Sequence, residues 1–209
     1  MTPEQLKKIV PLISDTNLNN YTPLLNTAFD KYQINTVERQ CCFIAQVAHE
    51  SESFRYTKEL ASGQAYEGRV DLGNTMVGDG VKFKGRGLIQ TTGRKNYQLC
   101  SQFIFGDERL LEHPEYLEEP EYAVASACFY WTSHILNEIC DSDANWTHTW
   151  KEKVYTRFQW LTVKINGGLN GYADRLAFYL KAKEVLGPNP VNSQITSENI
   201  PEAKGLEIS

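Results

Sequence analysis

No basic arm or lysine/arginine run stands in the 209-residue sequence, and the formal net charge is −5, so the electrostatic footprint of a nucleic-acid binder is missing. No apolar stretch is long enough to span a membrane, and stable membrane insertion is not expected. The first thirty residues also hold no unbroken apolar segment of signal-peptide length, because Ile9 to Ile13 is flanked by Lys7, Lys8 and Asp15. Cysteine is sparse and odd in number: Cys41, Cys42, Cys100, Cys128 and Cys140 show no CxxC spacing, which excludes a complete disulfide framework and a thiolate zinc site. Cys41, Cys100 and Cys128 sit in apolar patterns and read as small core residues, consistent with synthesis in a reducing compartment. His49-Glu50 opens like the HExxH zinc signature, but position 53 is Ser and the other histidines, His113, His134 and His148, are scattered. No metal and no cofactor are expected.

What the sequence does contain is two glutamates nine residues apart, Glu50 and Glu59, at the end of an apolar-striped segment. On one unbroken helix that spacing would turn about 900° and rise about 13 Å, leaving the carboxylates on opposite faces. If both serve one groove, the helix must end between them. Val37, Cys41, Ile44, Ala45 and Ala48 form a core-facing stripe behind Thr36 as N-cap, and Ser51, Glu52 and Ser53 are weak helix formers that allow the break. Glu50 then stands in the last turn, where the negative end of the helix dipole disfavours ionisation, as suits a general acid. Paired carboxylates beside a glycine-shaped loop fit acid/base cleavage of a glycosidic bond.

The rest reads as helices around this stretch. Thr2-Pro3-Glu4-Gln5 is a capping box that opens a first helix. Asn17 to Asn20 read as a turn, and Thr22-Pro23 as the cap of a second helix. From Gly63 to Gly93 periodicity gives way to a dense series of glycines, and a small hairpin is expected there around Val81 to Phe83. Pro120 opens a helix with Val124, Ala127, Cys128, Trp131 and Ile135 on its stripe, the candidate for the central buried helix. Val154 to Ile165 predicts a helix stopped by Asn166-Gly167-Gly168, and Ala173, Leu176, Ala177 and Leu180 mark the stripe of the last one. Residues 1–187 read as one catalytic domain and 188–209 as a polar C-terminal tail. Aromatic residues are 11% of the chain, enough for Tyr66, Tyr97 and Trp131 to be expected at a groove as well as in the core.

AQVAHESESF, YEGRVDLGNTMVGDGVKFKGRGLIQTTGRKNY, SACFYW and VKINGGLNGYADRLAFYLKAKEVLG, in that order between Phe43 and Leu186, resemble glycoside hydrolase family 19, the chitinase-like enzymes. The likeness is to the branch found as bacteriophage endolysins and bacterial cell-wall lysozymes. It implies a mainly α, α+β lysozyme-like fold, a helical domain with a small β-hairpin flanking a substrate groove. It implies Glu50 as general acid and Glu59 as general base of an inverting hydrolysis, the carboxyl groups standing about 6.5 to 9.5 Å apart to admit a water. Thr92 matches the residue that positions that water, with Thr91 the neighbouring alternative where an apolar residue is more usual. His49, Gln90, Asn96 and Asn166 match substrate-binding positions, and Arg175 an arginine near the catalytic acid. The expected substrate is the β-1,4-linked glycan strand of peptidoglycan, cleaved by a monomeric endolysin that gathers in the bacterial cytoplasm and reaches the wall through a membrane pore. The alternatives are a chitinase acting on N-acetylglucosamine polymers and a non-catalytic glycan-binding relative.

Overall fold

Thr36 begins the organising element of the structure, a computed structural model that describes residues 1–187: its side chain accepts from the Arg39 amide and caps a helix over Val37–Glu50. This helix, α3, follows α1 (Pro3–Ile9) and α2 (Asp15–Lys31). After it come α4 (Asp79–Lys82), α5 (Arg94–Phe105), α6 (Arg109–Glu112), α7 (Pro120–Ser133), α8 (Leu136–Asp141), strands β1 (Thr147–Trp150) and β2 (Lys153–Thr156), α9 (Arg157–Asn166) and α10 (Tyr172–Leu186). The chain is mainly α, as the sequence implied. Among the described residues no helix is long and apolar enough to cross a membrane.

Several elements depart from the sequence reading. The expected Asn17–Asn20 turn lies inside α2, which starts instead at Ser14, whose side chain accepts from the Asn17 amide. Pro23 is carried in the helix interior. The helix survives because Leu18, Tyr21, Leu25, Ala28 and Phe29 present a continuous apolar face to the core. The hairpin is also elsewhere than expected: Val81 belongs to the helical turn α4, and the antiparallel pair is β1–β2, with Thr147 opposite Thr156 and Trp150 opposite Lys153. Its two-residue loop, Lys151-Glu152, holds both residues at positive φ without the Asn-Gly signal that usually announces such a turn.

The central helix is α3 rather than α7. Every residue from Cys41 to Ala48 is buried, so α3 is enclosed on all sides, and it packs most extensively on α10. α7 lies beside it, with Trp131 edge-on to Phe43 at 5.1 Å between ring centroids. In α10 the inward face is not the predicted one: Leu180 is exposed, while Arg175 and Ala182 are buried, with Tyr172, Leu176 and Tyr179 packed beside them. A smaller core of Phe83, Tyr97, Cys100, Leu110 and Leu117 supports the glycine-rich segment. The expected tail at 188–209 lies outside the described residues.

Candidate active site

α3 ends where the sequence required it to end. Ser51 donates from Oγ to the Val47 carbonyl at 2.7 Å and accepts from the Phe54 amide at 2.9 Å, drawing the chain back on the helix. Glu52, Ser53 and Phe54 follow at φ of 47°, 63° and 64°, a conformation that costs energy in non-glycine residues. The burial of Phe54 against Tyr21 offsets it, their rings 5.2 Å apart. Glu50 is thereby left in the last turn, half-buried, while Glu59 leaves on a separate segment.

Beside Glu50 stands the arginine that the family resemblance placed near the acid, and the fold buries its guanidinium. Arg175 is fully buried and donates to Glu50 from Nη2, to Gln46 Oε1 from Nη1 at 2.6 Å, and to the Asn170 carbonyl from Nε at 3.4 Å. Gln46 in turn donates to Thr162 at 3.1 Å, so a polar chain runs through the core from α9 to the carboxylate. Arg175, grouped from sequence with the substrate-binding residues and matched to an arginine near the acid, contacts Glu50 and is buried away from the surface. The neighbouring His49 pairs through Nδ1 with Asp174 at 2.6 Å. Gly171 permits this pairing: at φ +70°, a Cβ there would stand 2.2 Å from the His49 ring.

Glu59 is held from the glycine-rich side. Its amide donates to the Gly85 carbonyl at 2.9 Å, and its carboxylate accepts from the Gly85 amide at 3.0 Å and the Tyr66 hydroxyl at 2.9 Å. Burial, and next the hydrogen bond to Glu59, push the Tyr66 phenol above its ordinary value, so it stays protonated as a donor. Tyr66 thus sits at the site as expected, whereas Tyr97 and Trp131 are core residues with no exposed face. A Cβ built on Gly85 would lie 2.6 Å from Gln90 Oε1 and 3.3 Å from Glu59 Oε2, so the two side chains flank one point of backbone. Glu67 accepts from the Gly78 and Gly80 amides at 2.6 and 2.7 Å and ties the turn that backs Tyr66.

Gln90 stands at φ 55° and donates to the Gly87 carbonyl at 3.0 Å. Thr92 donates from Oγ1 to the Gln90 carbonyl at 2.8 Å, and Asn96 donates to the Thr92 carbonyl at 2.8 Å. Backbone bridges from Lys58 to Arg86 and from Arg86 to Thr91 fix this loop to the segment that carries Glu59. Gln90, Thr91, Thr92 and Asn96 form one wall of a cavity of about 670 Å³, and Phe129, Tyr130 and His134 of α7 another. Glu50 and Glu59 are not among the residues lining this cavity, although Gln90 and Tyr130 of its wall stand close to them. Tyr130 marks the Glu50 side: burial, and next the Glu50 charge, push its phenol up to about 12. Asn166 is exposed at the end of α9 before Gly167 in the left-handed conformation, and it is not among the residues lining the cavity.

Sequence reasoning missed Gln46, Thr162, Tyr130 and His134. Gln46 carried a signal, a polar residue inside an otherwise buried run; Tyr130 and His134 carried none.

No protein-family model matches the chain. A Haemophilus influenzae protein described as a glycosyl hydrolase family 19 domain-containing protein is 31% identical over 129 residues, covering 62% of this chain and 55% of that protein. An endochitinase of Arabidopsis thaliana is 28% identical over 170 residues, 78% of this chain and 53% of that one. The chain therefore spans about half the length of these curated relatives. Among solved structures, chitinase C from Streptomyces griseus matches with a TM-score of 0.63 at 19% identity, covering 90% of this chain and 93% of that one. The class IV chitinase of Zea mays matches at 0.62 and 19%, covering 88% and 92%. These structural matches show the fold, and the sequence relatives carry the family name: homologues and structural neighbours together indicate the fold of glycoside hydrolase family 19, the chitinase-like family.

Proposed function

We propose that this chain hydrolyses the β-1,4 glycosidic bonds of peptidoglycan glycan strands in a single, inverting displacement, with Glu50 as general acid and Glu59 as general base. The observation that carries the reading is the difference between the two carboxylates. Glu50 has one oxygen against the Arg175 guanidinium, which leaves the other to deliver a proton to the glycosidic oxygen. Glu59 is fixed by two neutral donors, Tyr66 and Gly85, and each of its oxygens keeps a lone pair for a water proton.

Thr92 gives the water a second partner. Its hydroxyl proton is committed to the Gln90 carbonyl, so Oγ1 faces other groups as an acceptor. A water that donates one hydrogen to Thr92 and the other to Glu59 directs its lone pair at the anomeric carbon, opposite the bond that Glu50 protonates. As C–O bond cleavage proceeds, the water's proton passes to Glu59 and the proton of Glu50 passes to the leaving oxygen. Gln90, Asn96 and Asn166 supply amides for acetamido groups, and His49, oriented by Asp174, stands beside the acid. A purely glycan-binding role has no use for two carboxylates tethered so differently.

Within this reading the protein is a monomeric endolysin made in the bacterial cytoplasm and delivered to the wall through a membrane pore. The five cysteines, free and buried, suit that compartment. Chitin is the second reading, favoured by the relatives named as endochitinases. Purified peptidoglycan and N-acetylglucosamine oligomers, assayed side by side, separate the two, and mass spectrometry of released reducing ends identifies the bond cut. Turnover of the oligomers with intact peptidoglycan would overturn the endolysin reading, and activity on neither would overturn both.

A further inference from the structure

A second cavity, of about 400 Å³, lies against the β1–β2 hairpin, with His134, Glu138, Trp146, Trp160 and Lys164 in its wall. Three of the four tryptophans of the chain gather here, Trp146, Trp150 and Trp160; the fourth, Trp131, is in the core. His148 stacks on Trp160 at 3.9 Å, Trp146 lies nearly parallel to His148 at 5.8 Å, and Trp150 meets Trp160 edge-on at 5.9 Å. All four rings remain half-buried, which leaves part of the cluster's surface open to a ligand.

The platform is continuous with the groove. His134 lines both cavities, and its ring stacks on Tyr130 at 3.9 Å. Tyr130 feels the charge of Glu50 and donates from its hydroxyl to the Lys164 carbonyl at 2.8 Å, joining α7 to α9 between the two spaces. A β-linked pyranose presents an apolar C–H face and a polar rim, which matches indole faces flanked by the Glu138 carboxylate and the Lys164 ammonium.

We propose that this aromatic platform is a further glycan subsite, taking a 2-acetamido pyranose of the same β-1,4 strand beyond the units held at Thr92 and Asn96. The inference rests on the glycan-hydrolase reading of the groove. It makes the hairpin a determinant of substrate length rather than of chemistry.

The test uses the full chain with β-1,4-linked N-acetylglucosamine trimer and hexamer, following hydrolysis and tryptophan emission. Trp146→Ala should lower kcat/KM on hexamer about three- to tenfold more than on trimer, chiefly through KM, and Trp146→Phe should recover most of the difference. Glu138→Ala, an exposed change, tests the same ratio if Trp146→Ala does not fold. Equal losses on both oligomers, or none, overturn the subsite and leave the hydrolase reading in place. Conversely, hexamer that shifts wild-type emission but not that of Trp146→Ala, in a protein that cleaves neither oligomer nor peptidoglycan, keeps the subsite and removes the hydrolase. No cleavage of the oligomers or of peptidoglycan, together with no emission change, overturns both.

Discussion

Arg175 reaches Glu50 from a position with no solvent exposure, dividing its two terminal nitrogens between that carboxylate and Gln46. A lysine cannot reproduce this fork, because its three N–H donors sit on one nitrogen rather than on two set apart in a plane. Arg175→Lys should therefore lower activity at least about tenfold and stability by about 2 kcal/mol, the cost of a buried polar group left without its partner. Urea midpoints and rates measured on the same preparation check this. Wild-type activity in a destabilised variant would remove the positioning role.

Glu50→Gln keeps the shape of the last turn of α3 and removes the proton donor. Activity should fall by about 10² to 10⁴-fold with the fold retained, and stability should drop by about 1 to 3 kcal/mol because the buried Arg175 loses its charged partner. A residual rate above about a tenth of wild type would transfer the role of acid to another group.

The loop from Gly87 to Asn96 separates two adjacent hydroxyls. Thr92→Val should lower kcat far more than it changes KM, and Thr91→Val should be mild, since Thr91 is fixed by backbone bridging to Arg86. Glu59→Gln should resemble Thr92→Val, and the double variant should lose less than the sum because both act on one water. Reversed severities would move the role to Thr91, and full additivity would discard the shared water.

Asp79 and Arg94 anchor the glycine-rich segment behind Tyr66. Hydrogen bonding from Arg94 holds the Asp79 carboxyl below its ordinary value of 3.8, and its side chain is 2% exposed. A carboxylate with a lowered folded pKa stabilises the fold above its unfolded value, and that contribution is lost as pH falls through the folded one. Stability should therefore drop below about pH 4, with a shallower acid limb in Asp79→Asn, which should cost about 3 kcal/mol at neutral pH by stranding Arg94. Urea melts of both proteins between pH 2 and 7 (~5 units) test this.

The buried thiols work in the opposite sense. Burial pushes Cys41 and Cys100 up to about 12 from 9.0, and Cys128 higher still. Their unfolded forms lose a proton near 9 while the folded forms keep it, so stability is intact below that pH and declines from about pH 9 towards 12. At neutral pH the native thiols should be nearly inert to alkylation and become fully reactive in denaturant. Cys→Ser changes should leave catalysis alone and cost about 1 to 3 kcal/mol where the new hydroxyl finds no partner. Loss of activity on mild reduction of the wild type would contradict the absence of a required bridge.

What the sequence determined by itself was local. Thr36, Ser51 and the spacing of Glu50 and Glu59 set where α3 starts and stops, because caps and helical geometry act over a few residues. Thr2-Pro3 and Pro120 likewise fixed the starts of α1 and α7, and Gly167 the stop of α9. The motif order carried the family. Tertiary structure decided whatever depends on residues far apart in the chain. Pro23 sits inside α2 because the packing of Leu18 to Phe29 outweighs one missing hydrogen bond, a balance that local propensity does not contain. The Lys151-Glu152 turn forms because cross-strand pairs and the Trp160 ring hold it, without turn residues of its own. Helical periodicity alone does not turn Arg175 inward, and only the family resemblance placed it near the acid; its burial follows from α3, which brings Gln46 and Glu50 to it from more than a hundred residues away. The carboxylates were legible as candidates. Their partners, Arg175 for one and Tyr66 with Gly85 for the other, exist only once the helices are packed, because hydrogen-bond partnership is a property of distance in space and not along the chain.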